Sequence, residues 1–152
     1  MKNHTITGVG LLLFSGGRLM TVRELTSKPE IHKLAGMISF PLETFKQTDE
    51  NPRGTIKRLL KEELGITNPD HVGVWGIAPK IFKLIPKRDD IQTFYGVANF
   101  LGDPETRFQP EDDDIEISGW KTPAQLLNME LIRIEVAPIL SHFATMQSEN
   151  FT

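Results

Sequence analysis

Apolar positions along this chain predict strands at its start, one sharply bounded helix, further strands, and a closing helix. Positions 6–14 are rich in large and β-branched apolar side chains and read as a buried strand. Ser15-Gly16-Gly17-Arg18 supplies glycines that tolerate hairpin dihedrals, and 19–22 reads as the returning strand. Residues 26–35 are polar, contain Pro29, and read as a surface loop. A short extended segment at 36–40 ends at Pro41, and 42–50, which has no sustained period, reads as loop.

The helix at 51–64 carries the clearest punctuation. Asn51 is a favourable N-cap, and Pro52 suits the first helical position, where its missing N–H costs nothing. Ile56, Leu60 and Leu64 recur every four residues as an apolar stripe, and Gly65 supplies the left-handed stop. Downstream, 72–85 reads as one or two strands interrupted at Pro79, 87–90 as a charged turn, and 93–101 as a strand covered on both faces. An acidic loop at 103–114, a short strand at 115–120 and a brief helix at 122–127 follow. The last element predicted is an amphipathic helix over 132–146, with Pro138 near its middle. Strands with an inserted helix and a terminal helix make an α+β fold, helices covering a mixed sheet, in one domain spanning 1–152.

Bulk composition narrows the chemistry. A formal net charge of -3 argues against a protein held to nucleic acid by phosphate neutralisation. With no cysteine, disulfides, thiolate zinc sites and cysteine nucleophiles are excluded. The first residues lack the apolar core of a signal peptide, and the longest apolar run, 9–14, is too short to cross a bilayer. The expectation is a cytoplasmic protein without a membrane partner.

The segment that invites a chemical reading lies late in the helix. Leu59, Glu62 and Glu63 fall on roughly one face. Two adjacent carboxylates near a helix C-terminus are disfavoured by the macrodipole and by each other. A bound divalent cation would reverse that balance, and carboxylate oxygens are the ligands magnesium prefers. Arg58, one turn before Glu62, is placed to orient one of the acids. Two such glutamates alone are more often a solvated helix face.

The longer context changes the weight. Glu50, Arg58, Leu60, Glu62, Glu63, Gly65 and Ile66 resemble, at the family spacing, the Nudix box, Gly-x5-Glu-x7-Arg-Glu-hydrophobic-x-Glu-Glu-x-Gly-hydrophobic. Ile38-Ser39-Phe40-Pro41 is similar to the family strand ending in Pro-Gly-Gly. The stretch from Asp114 to Trp120, with Thr122-Pro123-Ala124-Gln125-Leu126-Leu127, looks like its acidic strand, tryptophan and short helix. The resemblance covers nearly the whole chain and implies a Nudix-like α/β/α sandwich, a mixed β-sheet flanked by helices.

Two departures stand out. The glutamate that follows the box arginine is Leu59 here, and the glycine pair after the proline is Leu42-Glu43. Anchoring on Pro41 or on Glu50 gives alignments one residue apart, so Asp49 is an alternative to Glu50 as the loop acid. What the resemblance implies is a hydrolase that cleaves a pyrophosphate linkage in a nucleoside diphosphate derivative with Mg2+ or Mn2+. Glu62 and Glu63 would hold the metal, Arg58 would orient them, and Glu50 would complete or support the site. Loss of the acid at 59 leaves a weakened site, which Glu43 or Glu50 could restore, and restoring the acid by Leu59→Glu is expected to raise activity or metal affinity. The alternative is a catalytically impaired module that binds a phosphorylated metabolite or a partner protein. The resemblance also allows a homodimer.

Other residues carry weaker signals. Glu111-Asp112-Asp113-Asp114 reads as a solvated acidic loop before it reads as a metal ligand, and Glu116 is the best single candidate for a further ligand. Arg23, Lys33, Lys80, Lys83, Lys87 and Arg88 are candidate phosphate binders, most of them surface charges. Trp75, Phe94 and Tyr95 are candidate base-stacking rings, more often core. His4, His32, His71 and His142 lack ligand spacing and receive no role.

Overall fold

Side chains on successive residues of Ile6–Ser15 (β1) face opposite layers, and this strand is the centre of the molecule. A computed structural model describes residues 6–31, 33–77 and 91–150. Gly16 (φ 57) and Gly17 (φ 77) turn β1 into Arg18–Glu24 (β2), since both turn positions need positive φ. The other flank of β1 pairs in parallel with Ile91–Phe100 (β6), which pairs antiparallel with Val72–Ile77 (β5). Ile38–Ser39 (β3) and Ile115–Lys121 (β7) both pair with β2, and Leu42–Thr44 (β4) pairs with residues 8–10 of β1. The seven strands form one mixed sheet in the order β3-β2-β1-β6-β5, with β4 and β7 off that path.

Pro52–Leu64 (α1) covers one face. Its Ile56, Leu59 and Leu64 pack with Val9, Leu11, Leu13, Met20, Val22 and Ala98. Pro123–Leu127 (α2) and Val136–Asn150 (α3) cover the other, where Leu126, Val136, Ile139 and Leu140 meet Leu12, Leu19, Phe40 and Tyr95. The result is the α/β/α sandwich with a mixed sheet that the resemblance implied. Among the described residues no helix is long and apolar enough to cross a membrane.

The structure differs from the sequence expectation in three places. Residues 42–50 are not loop throughout, because they contain β4 and a 3-10 turn at Gln47–Asp49. Three residues are too few to show an alternating pattern. A second 3-10 turn, Pro29–Ile31, lies in the expected loop at 26–35. The last helix begins at Val136, which puts Pro138 in its first turn, where no intrahelical N–H bond is lost. Ile132 instead forms a parallel bridge with Ile38. The end of the expected strand at 78–85 and the charged turn at 87–90 lie outside the described residues.

Candidate active site

The start of α1 is built around a tight reversal that aims one carboxylate. Asn51 caps the helix by accepting from Gly54 N at 3.0 Å. Just before it, the Asn51 N–H donates to the Asp49 carbonyl at 2.8 Å, closing a γ-turn on Glu50. Glu50 sits at φ 69, ψ -43, a conformation that favours glycine. A Cβ at position 54 would collide with the Asp49 carbonyl, so only glycine lets the helix start this close to the turn. The Asp49 side chain accepts from Lys46 N (2.9 Å), Thr55 Oγ1 (3.0 Å) and the Arg58 guanidinium.

Arg58 gathers the surrounding acids. Its Nε and Nη2 each reach an Asp49 oxygen at 2.9 Å, and Nη2 also donates to the Thr44 carbonyl at 2.6 Å. Its Nη1 faces two further carboxylates, Glu62 Oε2 at 3.2 Å and Glu43 Oε2 at 3.5 Å. Hydrogen bonding to Arg58 holds Asp49 well below the usual carboxylate range, and Asp49 in turn holds Arg58 above its ordinary value.

Glu62 and Glu63, adjacent in sequence, occupy different environments. Glu62 keeps a partly exposed side chain on Arg58. Glu63 turns toward the sheet beside Leu59, one turn earlier, and is only 2% exposed. Its Oε2 is buried with no hydrogen-bond partner. Burial first, then the nearby charges of Glu43, Glu24 and Asp112, push its carboxyl well above the ordinary value. Glu43 is raised too, by burial ahead of Glu62 and Asp112, and in spite of Arg58. The acidic loop closes over this end of α1: Glu111 N and Asp112 N donate to the Glu62 carbonyl at 2.7 and 3.0 Å. Gly65, at φ 68, makes room for Gln109 of the same loop.

The expected site residues are thus only partly brought together. Arg58, Glu62 and Glu63 share the C-terminal half of α1. The loop acid that meets Arg58 is Asp49, while Glu50 is exposed at the γ-turn. Glu116 pairs with its cross-strand neighbour Arg23 at 2.8 Å, both about half exposed. Lys33 is no surface charge: it stands 3.0 Å from Glu24, which also meets Arg133 at 3.2 Å, and Arg133 meets Glu135 at 2.7 Å. No local pattern in the sequence points to that buried ionic group, because its central pair, Glu24 and Arg133, is 109 positions apart. Tyr95 is core, as its strand position suggested, with its hydroxyl 2.7 Å from His142 Nδ1 and its pKa pushed up to about 12 by burial.

A divalent cation fits the chemistry of this donor set. Carboxylate oxygens are its preferred ligands, and a buried carboxylate without a partner, its pKa raised by burial and by neighbouring negative charge, is the electrostatic situation a cation relieves. Among the described residues no three His, Cys, Asp or Glu side chains stand together in ligating geometry. Such an ion would therefore be completed by water and ligand oxygens, as is common for magnesium.

No family model matches the chain, and no curated protein matches it significantly. Solved structures do. The NUDIX domain of Shewanella oneidensis NrtR, complexed with ADP ribose, is 15% identical with TM-score 0.63, over 96% of this chain and 90% of its own. A NUDIX hydrolase from Nitrosomonas europaea is 11% identical with TM-score 0.67, over 95% and 90%. A bifunctional NMN adenylyltransferase/ADP ribose pyrophosphatase from Francisella tularensis, complexed with AMP and a Mn ion, is 15% identical with TM-score 0.70. The match spans 95% of this chain and 42% of that one. The chain has the Nudix fold.

Proposed function

We propose, on the premise of a Nudix fold, that this protein hydrolyses a pyrophosphate linkage in a nucleoside diphosphate derivative with Mg2+ or Mn2+ held at Glu63 and Glu62. The observation that carries this reading is the buried, unpartnered Glu63 carboxylate beside Glu43 and Asp112. In a site with no ligand role such a group is a plain cost, since an unmet buried carboxylate loses its solvation without return. When bound, the metal supplies charge neutralisation for the diphosphate and a more acidic water. Arg58, locked by Asp49, fixes the direction of Glu62, and the γ-turn at Glu50 fixes Asp49. Glu116, whose carboxylate is engaged by Arg23, is given no metal-ligand role in this reading. The structural neighbours bound to ADP ribose, or to AMP and manganese, support the substrate class.

One observation favours a second reading, a module that binds a phosphorylated metabolite or partner without turnover. Leu59 is fully buried in the apolar cluster, so the position of one family carboxylate has become part of the core. Purified protein incubated with a panel of nucleoside diphosphate derivatives, with magnesium and separately manganese, decides between the two. The enzyme reading expects turnover that Glu63→Gln removes. Metal-dependent ligand binding by calorimetry with no turnover from any compound overturns the enzyme reading in favour of the module.

A further inference from the structure

Position 43 falls where the family pattern has a glycine and this chain has an acid, while position 59 has lost an acid and gained a leucine. The structure places these two departures on the same layer. Glu43 pairs across the ladder with Val9, whose side chain lies in the core cluster under α1, so strand alternation turns Glu43 toward α1 and Leu42 toward the opposite layer. There Glu43 Oε2 and Glu62 Oε2 share one guanidinium nitrogen, Nη1 of Arg58. The second oxygen, Oε1, accepts from Thr44 N at 3.2 Å, which steadies the carboxylate without using it up.

Glu63, on the same α1 layer, is 2% exposed with Oε2 unpartnered, and the charge of Glu43 is among those that bear on it. Like charges that act on one another in a partly buried site are unfavourable unless a cation stands between them. Among the described residues two cations bear on this point. Arg58 is committed to Asp49 and the Thr44 carbonyl through Nε and Nη2 and shares Nη1 between Glu43 and Glu62. Lys33, whose charge acts on Glu63, is paired with Glu24.

We propose that Glu43 replaces the metal ligand lost at Leu59, so that Glu43 and Glu63, one from β4 and one from α1, hold the divalent ion between sheet and helix. The proposal rests on the metal-dependent reading above and adds to it a ligand from a different element. Moving the acid from helix to strand keeps the number of carboxylates around the ion while Leu59 fills the core.

Titration calorimetry with Mn2+ alone tests this on the full chain, without reference to turnover. The measurement compares the unaltered protein with Glu43→Gln, Glu43→Asp, Glu63→Gln and, as a control on the α2–α3 connection, Glu130→Gln. Circular dichroism on each variant checks that the fold is kept. The expected result is that Glu43→Gln weakens Mn2+ binding by roughly tenfold or more, the scale on which even outer-shell partners act. Glu43→Asp, which keeps the charge, should fall between, and Glu130→Gln should bind as the unaltered protein does. Unchanged affinity in a folded Glu43→Gln, with affinity lost in Glu63→Gln, overturns the role of Glu43 and leaves the metal at Glu63. Absence of Mn2+ binding by the unaltered protein overturns both.

Discussion

Asp49 and Arg58 meet as a two-pronged ion pair, Nε to Oδ1 and Nη2 to Oδ2, both at 2.9 Å, with the Asp49 side chain only 4% exposed. This pair joins the turn before α1 to the helix's middle and so sets where Glu62 can reach. Asp49→Asn should destabilise the protein at neutral pH by about 2 kcal/mol, the usual loss for a hydrogen bond to a charged group. Arg58 holds the folded Asp49 below its ordinary value of 3.8, so the contribution is complete above that pH and declines as the solution becomes more acidic. Urea titrations across pH should therefore show Asp49→Asn and the unaltered protein converging below about pH 4. A gap that stays constant down to pH 2 would contradict this origin.

Glu50 sits in a backbone region that costs a non-glycine residue about 1 kcal/mol. Glu50→Gly should thus leave the melting temperature unchanged or raise it by a few degrees, relief of strain offsetting the greater freedom of the unfolded chain. Glu50→Gln should match the unaltered protein in Mn2+ affinity if the residue's contribution is the turn. A Mn2+ affinity that falls in Glu50→Gln would return the carboxylate itself to the metal site.

Leu59 touches no water and packs with Met20, Val22 and Ile115 in the core under α1. Restoring the family acid by Leu59→Glu is therefore expected to destabilise the metal-free protein by roughly 3 kcal/mol, from lost packing and a buried charge. This burial revises the simpler expectation that the substitution strengthens the site. Addition of Mn2+ should recover part of the melting temperature only if the new carboxylate reaches the ion. Calorimetric melting of Leu59→Glu as stable as the unaltered protein would show that the position is not core.

Glu63 carries the opposite pH dependence to Asp49. Its folded pKa is raised well above the ordinary 4.5, so protonated Glu63 is compatible with the fold below that pH and stability is lost as pH rises through the raised value. In metal-free buffer at pH 7, Glu63→Gln should gain on the order of 1–3 kcal/mol, the desolvation penalty of one unmet buried group. The gain should vanish below about pH 4. A Glu63→Gln protein less stable than its parent at pH 7 would mean that the carboxylate has a favourable partner.

Much of the α1 part of this arrangement is legible in the sequence. Both ends of α1 are marked by residues with one dominant structural use, Asn51-Pro52 and Gly65, and the observed bounds agree with them. Arg58, Glu62 and Glu63 follow from helix geometry once those bounds are set. The rest depended on pairing that no local pattern reveals. β4 is three residues long, and only its ladder to Gly8–Gly10 shows that Glu43 faces α1. At the one-residue ambiguity between Asp49 and Glu50 the chain makes a γ-turn, and it is Asp49 that meets Arg58 while Glu50 is exposed. Adjacent glutamates suggested a shared site, but helical rotation buries Glu63 and leaves Glu62 near the surface.

Anomalous diffraction from crystals soaked in manganese, at pH 7, tests the central claim most directly. The account expects one Mn2+ peak within about 2–2.5 Å of Glu63 Oε2, the ordinary range of metal–oxygen bonds. A map with no peak beside Glu63, or with manganese bound only at other surface acids, would contradict it.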